Sequence, residues 1–290
     1  MGDFTFLVQL SNLEFLHLDN ASITDNDLSS IANLSKLERL SLNRNPLITQ
    51  INNLISDPEA PGLINLQIFF LNLCGVNDLM NIGTLTGLKY LYLSGNQISD
   101  VVPLQPLVNL YELHLSGNPI GANSISGLKD LIALTYLNLG NTGLSNIVSL
   151  VEVLTSLGDS SQHPVVLSNL YLSNNSIDNN DIKDIGMALD QFVKSLKVLD
   201  VSSLGIIDVT PLSNLTNLLD LNLSYNSIQA ITGIENVSTL SKLTKAQSIE
   251  LVGNKFMPCL ELEKLLDPTI WDIGVSPLDI AKAEPGTNCK

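Results

Sequence analysis

One eleven-residue pattern, L-x-x-L-x-L-x-x-N-x-[IL], recurs ten times between Leu13 and Phe256, and a repeat of that length constrains the fold more firmly than any other feature of the chain. The copies open at Leu13, Leu37, Leu66, Leu88, Leu110, Leu134, Leu167, Leu196, Leu218 and, in degenerate form, Ala246, at steps of 24, 29, 22, 22, 24, 33, 29, 22 and 28 residues. In the clean copy Leu88-Leu91-Leu93-Asn96-Ile98, the leucines at positions 1, 4 and 6 point inward, and positions 3 to 7 alternate as a short strand. Position 9 is Asn in six copies (Asn45, Asn96, Asn118, Asn175, Asn226, Asn254), where the chain turns inward and a buried amide can pair the backbone groups that the turn leaves open. Ala21, Cys74, Thr142 and Leu204 replace it elsewhere, and Ala21 and Leu204 cannot do that job. One copy alone buries too little apolar surface to offset the entropy of ordering its backbone, so copies must stack, and stability then runs through nearest-neighbour interfaces. The pattern therefore predicts a solenoid with one parallel sheet on its concave side and turns or short helices on its convex side.

The connections sort by length. Ser99-Asp100-Val101-Val102-Pro103-Leu104 recurs as Ile207-Asp208-Val209-Thr210-Pro211-Leu212, and a proline in a 22-residue step leaves room for little more than a turn or 3-10 segment. Longer steps are expected to carry helices. One spans 144–157, with Leu144, Ile147, Leu150, Val151 and Leu154 at helical spacing, followed by a loop from Gly158 to Pro164. Another opens at Asp181 and runs through about Lys194, with Ile182, Ile185, Leu189 and Phe192 on one face. Residues 56–62 read as an exposed loop. Asp25-Asn26-Asp27 and Asp178-Asn179-Asn180-Asp181 each precede a helical connection and lack the Gly and distal Glu of a calcium loop, so they are read as N-caps.

Residues 206–228, IIDVTPLSNLTNLLDLNLSYNSI, resemble the unit ISDLTPLANLTNLxxLxLxxNxI of bacterial leucine-rich-repeat proteins of the internalin type, and the resemblance covers 13–256. The 28- and 29-residue copies are similar instead to ribonuclease-inhibitor-like repeats. The resemblance implies an α/β solenoid, a horseshoe with a parallel concave sheet and 3-10 or α-helical convex connections. It implies protein recognition on the concave face, with no catalytic residues to carry over. On this reading 1–12 is a half-repeat or an artificial start that leaves the first strand an open edge, 13–256 holds about ten repeats, and 257–290 is a C-terminal cap. The segment from Cys259 to Cys289 is similar to C-terminal caps of secreted repeat proteins, which implies a disulfide between these two residues over the end of the core and an exported protein. The other reading is two reduced thiols in a cytosolic protein. Cys74, at a position 9, is expected to be a buried free thiol.

A formal net charge of −15 argues against nucleic acid and anionic membrane as partners. Mean hydropathy is +0.25, but no run of 18 uninterrupted apolar residues exists, and the leucine ladder accounts for the value without membrane insertion. The three histidines, His17, His114 and His163, are far apart along the chain, and no nucleophile elbow, phosphate loop or zinc motif is present, so neither an enzyme nor a cofactor is expected. Six N-x-[ST] sequons arise from the repeat's own composition, and glycosylation at Asn222 would obstruct the concave strand.

Positions 2, 3, 5, 7 and 8 of the copies point outward, and all six tyrosines fall there: Tyr90, Tyr92, Tyr111, Tyr136, Tyr171 and Tyr225. Strands favour Tyr in any case. Large amphipathic rings that bury nothing in the monomer are nevertheless what recognition hot spots are made from. Phe70, Tyr90, Tyr92, Tyr111, His114, Tyr136 and Tyr171 are thus expected to form a continuous aromatic band, with Glu112 among them and an acidic slope of Asp200, Asp220 and Glu250 beyond. The partner this suits is a protein or peptide with apolar side chains and some Lys or Arg, bound by a monomer. Two further classes stay open: an intracellular regulatory scaffold similar to phosphatase-binding repeat subunits, and a structural module of a larger surface protein.

Overall fold

Each copy of the pattern from Leu13 to Asn254 forms one strand, and each of these strands is three residues long, at positions 3 to 5. The computed structural model describes residues 3–55, 62–121, 125–145, 147–159, 161, 163–177, 179–228, 237–254 and 281–282. The chain divides into two compact units, Met1–Thr142 and Gly143–Lys290. The first holds β1 (Phe15–His17), β2 (Arg39–Ser41), β3 (Ile68–Phe70), β4 (Tyr90–Tyr92), β5 (Glu112–His114) and β6 (Tyr136–Asn138). The second holds β7 (Asn169–Tyr171), β8 (Val198–Asp200), β9 (Asp220–Asn222), β10 (Ser248–Glu250) and β11 (Ala281–Lys282). Neighbouring strands within a unit pair in parallel and in register, so each position meets the same position of the next copy: Phe70, Tyr92, His114 and Asn138 in one unit, Tyr171, Asp200, Asn222 and Glu250 in the other. β11, which no copy of the pattern announces, adds to β10 with Lys282 in register beside Glu250.

The strands are shorter than the expected positions 3 to 7 because position 8 turns the chain. Ladder hydrogen bonds continue past the strand, as from Leu71 N to Tyr92 O and Leu73 N to Ser94 O, both 2.8 Å. The residue at position 8, however, has a left-handed backbone in every copy: Asn20, Arg44, Leu73, Gly95, Gly117 and Asn141 in the first unit, Asn174, Ser203, Tyr225 and Gly253 in the second, with φ between +53° and +78°. Glycine and asparagine tolerate this conformation; Arg44, Leu73 and Tyr225 hold it under strain. Leu73 leans over Gly95 and the Tyr225 ring over Gly253, so closely that a Cβ on either glycine would lie 2.6 Å from the overlying side chain.

Positions 1, 4 and 6 are the core, as the leucine spacing predicts. Leu37, Leu40 and Leu42, then Leu88, Leu91 and Leu93, are fully buried, as are Leu218, Leu221 and Leu223 in the second unit. A second layer comes from the connections, such as Val101, Leu104 and Leu107. Between the layers runs the amide ladder. Asn96 Nδ2 donates to its own copy's Leu93 O (2.8 Å) and to the preceding copy's Leu71 O (2.7 Å), and its Oδ1 accepts from the N–H groups of Cys74 and Val76. Asn45 and Asn226 repeat all four bonds, and Asn118 and Asn254 three of them. Each amide thus stitches its copy to the one before, leaving few turn groups unpaired. Cys74 occupies the same position as a buried thiol whose Sγ donates to Leu42 O, and burial pushes it above the ordinary thiol range. Cys259 and Cys289, with most of the expected cap, lie outside the described residues.

The 22-residue steps take 3-10 segments at Val102–Leu104 and Thr210–Leu212, each with Pro inside its first turn. Length alone does not make a helix in the longer ones. The 33-residue step carries α1 (Ile147–Leu157) and the following 29-residue step α2 (Asn179–Leu189), which ends in a 3-10 turn at Asp190–Phe192 rather than reaching Lys194. The described parts of the other two long steps hold turns, as at 52–54 and 62–65, and a 3-10 segment at Val237–Lys242, where Val, Ser and Thr disfavour the α-helix. Of the loop expected at 56–62, residues 56–61 lie outside the described residues. Helix-side packing is close: a Cβ on Gly186 of α2 would sit 2.7 Å from Pro211 O.

The N-cap expected at Asp25-Asn26-Asp27 takes a different form. Asn26 makes no side-chain cap bond; Asp27 Oδ2 accepts from Thr24 N and Oγ1, while the Asp25 carboxylate reaches forward to Thr49 N and Oγ1, both 2.7 Å, in the next copy. Asp25 therefore joins two copies instead of capping one helix. Asp178 lies outside the described residues.

Candidate binding surface

Side chains at positions 3 and 5 form two outward rows on each unit's sheet, since strand residues alternate faces and the strands are in register. In the first unit these rows carry rings. Phe70 and Tyr92 stack with centroids 4.5 Å apart and planes at 16°, Tyr92 and His114 at 4.4 Å and 23°, and His114 and Tyr136 at 4.4 Å and 25°. For the in-register residues Phe70, Tyr92 and His114 the interval nearly equals the ~4.8 Å between hydrogen-bonded strands, so strand pairing itself sets their stack; Tyr136, in register with Glu112, joins it diagonally. Tyr90 and Tyr111 form a separate pair, 6.3 Å apart and tilted at 54°.

This revises the sequence expectation that the rings bury nothing in the monomer. Tyr92, His114 and Tyr136 are half-buried, and ring faces that a partner might have covered are covered by neighbouring rings. What they offer outward is edges. Tyr111, 43% exposed, keeps more of its surface open, and Tyr225, 66% exposed, stands at the left-handed position 8 rather than in a strand. Tyr171 belongs to the second unit.

Glu112 is the one carboxylate among these rings. Tyr92 Oη donates to Glu112 Oε2 at 2.9 Å, and burial together with this bond pushes the phenol up to about 12. His114 Nε2 lies 3.6 Å from the same oxygen, beyond hydrogen-bonding distance, and is buried without a hydrogen-bond partner. Burial lowers His114 below the ordinary imidazole range, with Glu112 opposing it. At neutral pH the stack is therefore uncharged. An acid–base role for His114 gains nothing from this geometry, because Nε2 is buried and beyond hydrogen-bonding distance of Glu112.

A polar row at position 7, which the sequence reading passed over, runs beside the rings. Asn43 N donates to Asp19 Oδ1, Asn72 N to Asn43 Oδ1 and Ser94 N to Asn72 Oδ1, at 2.9, 2.8 and 2.8 Å, so each side chain satisfies the next copy's backbone. Burial raises the Asp19 carboxyl, but bonds from Ser41 and Asn43 outweigh it and hold the group below its usual range.

The second unit uses a solution that the first shows only at its last strand, where Asn138 Oδ1 accepts from Gly140 N at 2.9 Å. Asp200 Oδ1 accepts from Ser202 N and Asn222 Oδ1 from Ser224 N, each at 3.0 Å, so position 5 pairs the position 7 amide of its own copy. Here the outward rows enclose a shallow cavity of about 320 Å³ lined by Tyr171, Asp200, Asp220, Asn222, Ser248 and Glu250. The expected acidic slope is thus brought together around one ring. Further cavities of this unit, one of about 650 Å³, lie on the helix side, around α1, α2 and the Thr210–Leu212 segment.

Among the described residues no group of three or more His, Cys, Asp or Glu is placed to hold a metal, and no helix is long and apolar enough to cross a membrane. A model of leucine-rich repeats in two copies matches residues 86–130. Internalin C2 of Listeria monocytogenes is similar over 90% of this chain and 84% of its own, at 24% identity and a TM-score of 0.54. A leucine-rich-repeat protein of Leptospira interrogans is similar over 92% of this chain and 62% of its own, at 22% identity and a TM-score of 0.69. The fold is a leucine-rich-repeat solenoid. TLR13, solved in complex with ssRNA13, is similar over 88% of this chain and 34% of its own, at 26% identity and a TM-score of 0.65. No curated protein matches the chain.

Proposed function

We propose that the solenoid is a non-enzymatic recognition module that binds a protein or peptide ligand through its strand-lined face. The observation that carries this is the first unit's outward surface, where Tyr90 and Tyr111 flank the edge-on stack of Phe70, Tyr92, His114 and Tyr136, next to Glu112. Aromatic edges and phenol hydroxyls on a rigid sheet are pre-organised, so a partner pays little ordering entropy to use them. Proteins of this fold generally serve as interaction modules, which supports the reading. The 22-residue unit at 206–228 further favours an internalin-like protein acting as a monomer at a bacterial surface or after secretion, with Cys259 and Cys289 paired in its cap. Tyr171, Asp200 and Asp220 extend the contact surface in the second unit.

The test is affinity capture from host-cell and bacterial envelope extracts with wild type and a Tyr90→Ser/Tyr111→Ser variant, which leaves the stack intact. A captured protein lost with the variant supports the reading; equal capture by the folded variant overturns it. A mass change of native protein on reduction tests export, and two free thiols overturn that part.

A further inference from the structure

The second unit's face differs from the first in chemistry, and the difference selects a partner. In register across β7 to β10 stand Tyr171, Asp200, Asn222 and Glu250, and in the row beside them Val198, Asp220 and Ser248. Three carboxylates and one phenol ring thus share a single cavity of about 320 Å³. Among the described residues no ion pair engages these carboxylates. Lys197 and Lys245, the lysines next to these strands, direct Nζ to Asn217 O and Oδ1, at 3.4 and 2.6 Å. Asp200 and Asp220, diagonal neighbours on β8 and β9, are the pair that one partner side chain can reach together.

We propose that this face docks a basic peptide segment, with an arginine side chain entering the cavity. The choice of occupant follows from charge complementarity and shape. A bare metal ion is disfavoured, since the carboxylates are not placed as a ligand set. The guanidinium is planar: it can lie against the Tyr171 ring and direct its fork of N–H donors to Asp200 and Asp220, whereas an ammonium offers a point charge without a stacking face. Diagonal neighbours on adjacent strands have Cβ atoms about 7 Å apart, a gap that one guanidinium bridges. Asp200 is already oriented, its Oδ1 held by Ser202 N, which leaves Oδ2 for a donor. The apolar stem of the arginine meets Val198 and the ring.

The proposal rests on the reading of the strand face as a recognition surface, yet the two fail separately. The probe is a fluorescent nonapeptide of alternating Gly and Arg, titrated into the full chain at 0.15 M salt and followed by anisotropy, beside versions carrying Lys, citrulline or Glu in place of Arg. The expected order is Arg tighter than Lys, with citrulline and Glu unbound. Asp200→Asn/Asp220→Asn should weaken the Arg peptide about tenfold without moving the unfolding midpoint, and Tyr171→Leu about threefold, with a larger loss for Arg than for Lys. Asp184→Asn/Asp208→Asn, which removes the same charge from the helix side, should leave binding unchanged. Equal loss in both double-aspartate variants would reveal attraction to the chain's net charge alone and overturn the proposal, as would no loss at Asp200 and Asp220. If the Tyr90/Tyr111 capture test fails while the Arg peptide still requires Asp200 and Asp220, the function proposed above falls and this docking surface stands.

Discussion

The two strand faces are built on one backbone plan and satisfy it largely by different means. In the first unit Phe70 and Tyr92 occupy position 5 of two copies, and a ring cannot accept the position 7 N–H; Asn43 and Asn72 reach across from the preceding copies to do so. Asp19 does the same for Asn43 N, and only at Asn138 does position 5 accept from its own copy, from Gly140 N. In the second, Asp200 and Asn222 at position 5 accept that N–H within their own copy. One face is therefore coupled along the array through rings and amides, the other is polar and locally self-contained. Stacking in the first unit serves cohesion as well as contact, and carboxylates in the second serve the turn as well as any ligand.

The largest effect should come from what the two faces share. Replacing Asn96 by Leu strands two buried N–H groups and two carbonyls, and should destabilise the first unit by about 3–5 kcal/mol; Asn226→Leu should do the same in the second. Urea unfolding with hydrogen exchange resolved by unit measures both, and a clearly smaller loss at one site breaks the claim of equal stitching. Next, Tyr92→Ala, which removes two stacking faces and the bond to Glu112, should cost about 2 kcal/mol, whereas Asn222→Ala, losing one hydrogen bond, should cost about 1. The reverse order would mean that the stack contributes little to cohesion.

Titration sharpens the contrast in the first unit. The folded phenol of Tyr92 is raised to about 12, so its contribution is complete below the ordinary phenol value near 10 and fades as pH climbs between the two; Tyr92→Phe should abolish that alkaline step. For His114 the folded value is depressed, so the unfolded chain binds the proton first, and stability should decline as pH drops below about 6.5, a decline absent in His114→Phe. Melting temperature against pH reads both. The smallest effect is expected at Asp220→Asn, exposed and outside the turn hydrogen bonds, which should alter stability by no more than about 0.5 kcal/mol.

Much of this was legible in the sequence, because the pattern carries its own physics: burial at positions 1, 4 and 6 selects Leu, the inward turn selects Asn, and Pro103 and Pro211 forbid a longer helix where they stand. β11 was not legible, since Ala281–Lys282 carries no leucine signature. The aromatic residues were found in the right rows, but their mutual stacking depends on the distance between strands, which no single copy encodes. The coupling of Asp25 to Thr49 was hidden for the same reason: a carboxylate before a turn looks local until the neighbouring copy is in place. The segment 255–280, on which the expected cap largely falls, is outside the described residues.

The left-handed residue that closes every strand gives the array a place to vary. Its backbone angle recurs whatever the residue, so the side chain there can change identity while the path of the chain stays put, except at Gly95 and Gly253, where the overlying Leu73 and Tyr225 leave no room for a Cβ. Exchanging Arg44 for Gly should make the molecule more robust by about 1 kcal/mol, and Asn in place of Tyr225 somewhat less. Bulky occupants of that rim are a tolerated load, and new specificities can be written along it without redrawing the scaffold.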